Sequence, residues 1–365
     1  MPITVFTAEQ AMANLRARRS SLWPERWRGA DRLKGVAQVE FDASFRLQPG
    51  EAVMTIGSCF ARNIEARLAE LGFDVPARQI TLPAEERASD TENDLLNKYT
   101  PQSVINELRW AFEPTHAFPE ASLLEAKGLW HDPHLAPNVA PASLERVRER
   151  RAMVADLYRQ LPRCRVVVLT LGLVEVWLDT QTGLYLNGAP PTPCLKQDPD
   201  RFRLEVSSHA DILAALDTIH GLIRAHGHPE VKLLVTVSPV PMRASFSGHD
   251  ALVANTYSKS TLRSAVGEFV RGRDDIDYFP SYEIATLTLR TTAFQEDNRH
   301  VAPALVDAIV DRVVGAYCGA PPQHSAAAAP DEDLGAITEF EGLTLVQAGA
   351  KLREALRTGD VPEAL

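Results

Sequence analysis

The sequence predicts an α/β fold, a three-layer α/β/α sandwich around a mainly parallel five-stranded sheet. Two observations carry this prediction: short apolar runs with β-branched residues recur along the chain, and helical patterns lie between them. The runs occupy residues 53–56, 72–75, 165–171, 231–237 and 276–279. The second run is the weakest strand pattern, because it is short and ends at Pro76.

A helix is predicted directly after the first run. Phe60, Ile64, Leu68 and Leu71 fall at helical spacing, and Gly72 stands where a C-terminal glycine cap belongs. Similar patterns predict helices near residues 102–112, 142–160 and 208–226. These helices would supply the crossover connections that parallel strands need.

The spacing of the runs also predicts the domain organisation. About ninety residues separate the second run from the third, far more than a simple crossover needs, which indicates a large helical insertion that caps the fold or binds substrate. The expected units are an N-terminal arm packed on the body (1–50), a main domain (51–318) with its insertion (about 76–160), a linker (319–334) and a C-terminal helical tail (335–365). Trp23 and Trp27 in the arm are expected to pack against the body.

Composition excludes several classes of protein. The formal charge of −10 and the pI near 5.5 argue against a general nucleic-acid binder, which needs clustered basic residues. Four cysteines without CxxC spacing fit reduced thiols in a cytosolic protein. The chain shows neither a signal-peptide pattern nor an apolar stretch of about 18 residues, so we expect a cytoplasmic protein without a membrane span.

No metal or other cofactor is expected. His131, Asp132 and His134 form the string HDPH, but three ligands of poor spacing without a partner cluster do not make a metal site.

Ser58 is a candidate nucleophile. It lies in the string GSCFA, directly after the first apolar run and at the start of the first helix. A hydroxyl there stands at the carboxyl end of a parallel strand, where open α/β sheets bind ligands, and the free N–H groups of the helix can stabilise negative charge. The alternative is an N-cap, the commonest role of a serine in that place.

A candidate base lies in the string DNRH, which contains Asp297 and His300 and precedes an apolar helix with Pro303 in its first turn. A serine hydroxyl needs an imidazole to take its proton, and the imidazole needs a carboxylate to fix its tautomer. Taken alone, a surface aspartate and an exposed histidine explain this string. Its position just after the last strand favours a functional pair.

Together the two strings resemble the GSCFA family, named for the string found here at residues 57–61, which belongs with the SGNH or GDSL-like hydrolases. The resemblance covers roughly residues 50–315 and extends to the strings NKYTPQ, TLGLVEVW, VSPVP and NTYSKSTLR. In SGNH hydrolases the serine after the first strand is the nucleophile and a late DxxH supplies the acid and the base. The resemblance therefore implies these roles for Ser58, Asp297 and His300.

The resemblance also implies an oxyanion hole formed by the N–H groups of Ser58 and Gly172 and by an asparagine two residues after that glycine. Val174 stands in the asparagine's place and has no side-chain donor. Asn97 and Asn255 are candidates to replace it, although an asparagine in a loop is more often a turn former. Losing such a donor costs about 10²- to 10³-fold in rate in other hydrolases, so an active enzyme should replace it.

Three further residues are candidates for substrate binding. Glu175 follows the third strand and either faces the site or caps a turn. Arg243 and Lys259 follow the fourth strand and can bind a phosphate or carboxylate, although solvated surface charges are the simpler explanation. Cys59 is a rival nucleophile, since a thiol at a helix N-terminus has a lowered pKa, but Ser58 is preferred because only one of these neighbours can meet His300.

Acyl-ester chemistry is the leading expectation: hydrolysis of an O-acylated saccharide or small metabolite through an acyl-enzyme on serine. The first alternative is an O-acyltransferase, which would use a donor such as acyl-CoA and a sugar or other hydroxyl acceptor. A ligand-binding protein without turnover is the second, because of Val174. Thiol chemistry at Cys59 is the third.

Overall fold

The computed structural model describes residues 2–24, 32–87 and 93–319, together with the short segments 339–340 and 343–344. The strands in these ranges are β1 (Val53–Gly57), β2 (Leu124–Ala126), β3 (Leu129–His131), β4 (Val166–Leu171), β5 (Glu175–Asp179), β6 (Leu184–Tyr185), β7 (Phe202–Val206), β8 (Lys232–Val237), β9 (Ile276–Tyr278), β10 (Glu339–Phe340) and β11 (Leu343–Thr344). The α-helices are α1 (Ala8–Ala17), α2 (Cys59–Glu70), α3 (Pro101–Phe112), α4 (Leu144–Tyr158), α5 (Thr192–Gln197), α6 (His209–His226), α7 (Ala251–Phe269), α8 (Ser281–Leu287), α9 (Arg290–Ala293) and α10 (Pro303–Cys318).

The central sheet confirms the predicted α/β class. Its strands are parallel and follow the order β1-β4-β8-β9. Both β1 and β4 are buried along their whole length, as expected for strands covered on both faces by helices. In the register, Gly57 lies opposite Thr170, and Thr170 lies opposite Thr236. The carboxyl ends of these three strands therefore meet at one edge of the sheet.

The predicted number of five strands is wrong, because the segment 72–75 forms no ladder within the described residues. It lies beside β1, but its pairing is an isolated bridge between Ala52 and Asp74. The N–H of Val53 donates to the carbonyl of Asp74 at 2.8 Å. Pro76, which has no N–H to extend the pairing, then starts a 3₁₀ turn.

The predicted helices are confirmed as α2, α3, α4 and α6, with ends shifted by a few residues. Gly72 ends α2 as predicted: its φ is +82°, its N–H donates to Ala69 at 3.0 Å, and the N–H of Phe73 donates to Leu68 at 3.0 Å. This bonding pattern is a Schellman motif, which favours glycine because of the left-handed backbone.

The insertion predicted at about 76–160 contains α3 and α4, but it is not helical throughout. The antiparallel pair β2 and β3 lies between these helices. Its turn is formed by Lys127 and Gly128, both with positive φ. A second antiparallel sheet with the order β6-β5-β7 follows β4.

The two ends of the chain differ from expectation. Helix α1 contains no buried residue, and Trp23 is 69% exposed, so the expected packing is wrong for this tryptophan. Trp27 lies outside the described residues. Later in the arm, Phe45 and Leu47 join the core.

At the C-terminus, β10 pairs with β11, so these four residues of the predicted helical tail (335–365) are not helical. The rest of the linker (319–334) after Gly319 and of the tail (335–365) lies outside the described residues. No helix in the described part of the chain is both long and apolar enough to cross a membrane.

We predict that Gly57→Ala destabilises the protein by about 3 kcal/mol or more, since it combines backbone strain with overpacking. Gly57 has a φ of +141°, and a Cβ there would overlap the hydroxyl and the backbone of Thr170. Urea unfolding measures the effect.

Gly50→Ala is the matched control, since Gly50 also has a positive φ but open space around its Cα. We expect a cost of about 1 kcal/mol there, from backbone strain alone. Equal losses in the two variants would contradict the steric argument.

Candidate active site

Ser58 follows β1 and occupies the N-cap position of α2 without capping it. Its backbone is extended, and its side chain makes no bond to the helix. The residue is 4% exposed, and its Oγ has no hydrogen-bond partner among the described residues. Leaving a buried hydroxyl unpaired costs about 1–3 kcal/mol. The N-cap interpretation therefore does not account for this hydroxyl.

The backbone N–H of Ser58 is already engaged. It donates to the Oγ1 of Thr170 at 3.1 Å, across the junction of β1 and β4. The expectation that this N–H is a free oxyanion donor is therefore wrong for the conformation described.

Asn97 lies beside the candidate nucleophile. It forms an isolated parallel bridge with Gly57, and the N–H of Lys98 donates to the carbonyl of Gly57 at 2.8 Å. The Nδ2 of Asn97 lies 3.3 Å from the Oδ1 of Asp94, while its Oδ1 is buried and unpartnered among the described residues. Asn97 therefore covers the edge of β1 at the serine.

A buried ionic network holds this segment in place. Lys98 donates to the Oε1 of Glu107 at 2.5 Å and to the carbonyl of His134 at 2.5 Å. Arg151 donates to the Oε2 of Glu107 at 2.6 Å and to Asp132 at 2.8 Å. Burial acts to raise the pKa of Glu107, but the charges of Arg151 and Lys98 outweigh it and lower this pKa to about 2.

Asp297 and His300 are paired on the loop between α9 and α10. The Nδ1 of His300 lies 2.5 Å from the Oδ2 of Asp297, and the N–H groups of Arg299 and His300 each donate to the Oδ1 at 3.0 Å. These bonds lower the pKa of Asp297 to about 2. Asn298 gives the loop its tight turn, with a φ of +56°.

The structure does not join this pair to Ser58. The Nε2 of His300 lies 3.2 Å from the Nη1 of Arg299, and the His300 side chain is 49% exposed. Arg299 is nevertheless close enough to the start of α2 for its charge to act on the Cys59 thiol. The loop thus comes near the start of α2 through Arg299.

Lys259 is the largest departure from expectation. It is fully buried, so the interpretation as a solvated surface charge is wrong, and its Nζ donates to the carbonyl of Gly172 at 2.8 Å. Burial lowers the pKa of Lys259 to about 7. The sequence did contain a signal, since Lys259 precedes Leu262 and Val266 at helical spacing on the buried face of α7.

Gly172 lies directly after β4, and its lack of a side chain serves close packing. A Cβ there would lie 2.8 Å from the carbonyl oxygen of Tyr99. Tyr99 follows Asn97 and Lys98 in the segment that borders Ser58. Gly172 thus brings the ends of β1 and β4 and this segment together.

Glu175 anchors a loop rather than facing an open pocket. Its carboxylate accepts from the Oγ of Ser245 at 2.5 Å and from the N–H of Phe246 at 2.8 Å. Of the two roles that the sequence allowed for Glu175, facing the site or capping a turn, these bonds correspond to the second.

The same loop contains Arg243, which is exposed. Asn255 accepts from the N–H of Met242 at 3.1 Å, so its side-chain oxygen holds the loop to α7. Of the two candidate asparagines, Asn97 is the one whose backbone pairs beside Ser58.

Cys59 does not have the electrostatics of an activated thiol. Burial raises its pKa, and this effect exceeds the opposing charges of Arg299 and Lys259, so the expected lowering is wrong.

All four cysteines are unpaired thiols. No group of three or more His, Cys, Asp and Glu side chains in the described ranges is arranged to hold a metal.

The GSCFA family model matches residues 52–313, and the chain belongs to this family. No curated protein matches the sequence. A crystal structure of a carbohydrate esterase family 2 enzyme with a carbohydrate-binding domain, from Corynascus thermopiles (Myceliophthora fergusii), is similar at 13% identity and a TM-score of 0.31. The match covers 74% of this chain and 67% of that one.

We predict that Glu107→Gln lowers the free energy of unfolding by about 3 kcal/mol at pH 7, because it leaves two buried cations short of a counter-charge. The carboxylate contributes fully above the unfolded pKa of 4.5, and this contribution is lost as the pH falls toward about 2. The difference between wild type and variant should therefore shrink over that range.

The control is Glu149→Gln, which removes an exposed pair with Arg146. We expect a change below about 0.5 kcal/mol there. Urea unfolding at several pH values tests both variants. A Glu107→Gln difference that stays constant from pH 7 to pH 2 would show that the network is not a charge effect.

Proposed function

We propose that this protein is a serine-dependent acyl-ester hydrolase that acts on an O-acylated saccharide or small metabolite through an acyl-enzyme. The observation that carries the proposal is the hydroxyl of Ser58, which is buried and unpaired among the described residues at the carboxyl end of β1. A hydroxyl kept without a structural partner at a ligand-binding edge is available for chemistry. The paired Asp297 and His300 on a nearby loop supply a suitable base.

In the first half of the reaction, His300 takes the proton of Ser58 while the Oγ attacks the carbonyl carbon of the ester. The carbonyl π electrons move to its oxygen, which gives a tetrahedral oxyanion. When this intermediate collapses, the bond to the alcohol oxygen breaks, and His300 returns the proton to the departing alkoxide. The acyl group remains on Ser58.

In the second half, water replaces the alcohol. His300 takes a proton from the water, whose oxygen attacks the acyl carbon, and collapse of the second tetrahedral intermediate breaks the bond to Ser58. The serine recovers its proton from His300, and the carboxylic acid leaves. Asp297 holds the tautomer of the imidazole through its Nδ1 and stabilises the charged form.

This mechanism requires one movement. His300 must leave the neighbourhood of the Arg299 guanidinium and reach Ser58, whose Oγ is buried in the conformation described. Catalytic hydrogen bonds are often long or absent before substrate binds and tighten in the complex. The exposed position of His300 on a loop permits this rearrangement.

We predict that a fluorophosphonate probe modifies Ser58 and that this labelling depends on His300. Ser58→Ala should abolish labelling, and His300→Gln should slow it by about 10²- to 10⁴-fold, the usual contribution of a general base. Mass spectrometry of the modified peptide and the labelling rate measure the two effects.

Cys59→Ala is the control, because Cys59 is adjacent in sequence and has a raised pKa. It should label at nearly the wild-type rate. A folded wild-type protein that does not label would sink the serine mechanism, and activity lost only in Cys59→Ala would point to thiol chemistry.

Hydrolysis and transfer differ in the second acceptor, and a substrate panel separates them. Aryl esters and acetyl-CoA are offered with and without sugar acceptors. Release of free acid without an acceptor supports the hydrolase. Donor loss that requires the sugar would identify an O-acyltransferase with the same nucleophile.

A further inference from the structure

The charge of Lys259 is buried without a counter-ion among the described residues. Its side chain is fully buried, and no carboxylate of the described residues lies within salt-bridge distance. Its Nζ donates to the carbonyl of Gly172 at 2.8 Å. Buried charges are normally paired, because an unpaired one costs several kcal/mol. An ammonium in this position is therefore suited to an anion that binds or forms beside it.

The place where this ammonium lies follows from the sheet. Thr170 contacts the N–H of Ser58, and Gly172 is two residues further along the same chain, at the edge where Ser58 lies. The charge of Lys259 also acts on the thiol of Cys59, the residue after Ser58. Lys259 thus lies near the start of α2, at the edge of the sheet where Ser58 stands.

Helix α7 is hydrogen-bonded to the stretch that follows β4. Ser258 accepts from the N–H of Val174 at 3.2 Å, and its neighbour Lys259 binds Gly172. The two bonded groups, the N–H of Val174 and the carbonyl of Gly172, lie where SGNH hydrolases have the oxyanion asparagine. The N–H of Ser58 is taken by Thr170, and Asn255 holds a loop. Lys259 is the buried cationic donor that is bound to the end of β4 itself.

We infer that Lys259 is the oxyanion donor of the site and takes the role of the asparagine that is absent at Val174. This inference rests on the proposed ester chemistry of Ser58. The ammonium has three N–H donors, of which one binds Gly172, and another would bind the oxygen that becomes negative when Ser58 attacks. A full positive charge in a dry site stabilises that oxygen more strongly than a neutral amide does.

Turnover should depend on pH through Lys259. The ammonium is the active form, and with a pKa near 7 it is lost as the pH rises through that value. The titratable group that faces it is Cys59, whose thiol is also influenced by Arg299 and Asp94. Because burial raises the pKa of this thiol, Cys59 stays neutral in this range. The kcat/KM of the free enzyme should therefore fall above about pH 7.

The test compares Lys259→Met and Lys259→Arg with wild type on two aryl esters, one with an uncharged acetyl group and one with an anionic succinyl group. Lys259→Met should lower kcat by about 10²- to 10³-fold on both esters, with KM changed by less than about three-fold. Lys259→Arg should keep more turnover than the Met variant and lose the fall near pH 7, because a guanidinium stays charged.

Lys232→Met is the matched control, because Lys232 is only half-buried at the opposite end of β8, where its Nζ donates to the carbonyl of Asp274 at 3.1 Å. It should stay within about two-fold of wild type, as expected for a surface substitution away from the site. Thermal unfolding shows whether each variant is folded. If Lys259→Met does not fold, the pH profiles of wild type and Lys259→Arg decide.

Two results would overturn the role of Lys259 while leaving the serine mechanism standing. The first is an unchanged kcat in folded Lys259→Met. The second is a higher KM for the succinyl ester alone, which would make Lys259 a contact for a charged substrate. A wild-type protein that neither labels nor turns over would instead overturn the ester chemistry and the inference together.

Discussion

The site depends on the close approach of two strand ends. Gly57 has no side chain and a backbone conformation that other residues avoid, which lets it pack directly on Thr170. The Thr170 hydroxyl then binds the N–H of Ser58. This contact fixes the direction of the chain as it leaves β1, so α2 begins with Ser58 at the edge where the parallel strands end. Any larger residue at position 57 would move the serine.

The other side of β1 is built by a segment that belongs to the insertion. Asn97 forms a bridge with Gly57, and the N–H of Lys98 donates to the carbonyl of Gly57. The side chain of Lys98 is held by the ionic network around Glu107. A buried network of this kind contributes little net stability compared with apolar packing, but it specifies one arrangement. Here that arrangement sets the position of Asn97 beside Ser58. Residues 97 and 98, which lie in the predicted insertion, thus border the candidate site.

Much of the fold could be predicted from the sequence, because the spacing of apolar residues indicates which side of a helix or strand is buried. Helices α2, α3, α4 and α6 and the four strands of the central sheet lie where apolar spacing placed them. The segment 72–75 failed as a strand because Pro76 stops the ladder, which local pattern alone underweights. The pair β2 and β3 was missed because its strands have three residues each, too few for alternation to be visible.

In the candidate site, the sequence predicted only contacts between residues that are close together along the chain. Asp297 and His300 are three residues apart on one turn, so spacing predicted their contact. The relation of His300 to Ser58 depends on a loop conformation, and the burial of Lys259 depends on which face of α7 meets the sheet. The loop conformation does not follow from the residue letters. For Lys259, the spacing to Leu262 and Val266 indicates the buried face of α7 but not what the side chain meets there. Long-range packing decides both.

Two buried lysines show why packing matters for function. Lys98 has Glu107 and a carbonyl as partners, and with Arg151 and Asp132 it forms a closed set of charges. The positive charge of Lys98 is therefore compensated within the protein, without a ligand. Lys259 is as deeply buried, but the hydrogen-bond partner of its Nζ among the described residues is the carbonyl of Gly172, and burial lowers its pKa to about 7. A charge that the fold leaves uncompensated near a candidate nucleophile is a cost in the resting protein, and in the proposed mechanism a negative oxygen formed on substrate would offset it. The same burial that makes Lys259 unfavourable in the free protein would therefore make it effective in the transition state.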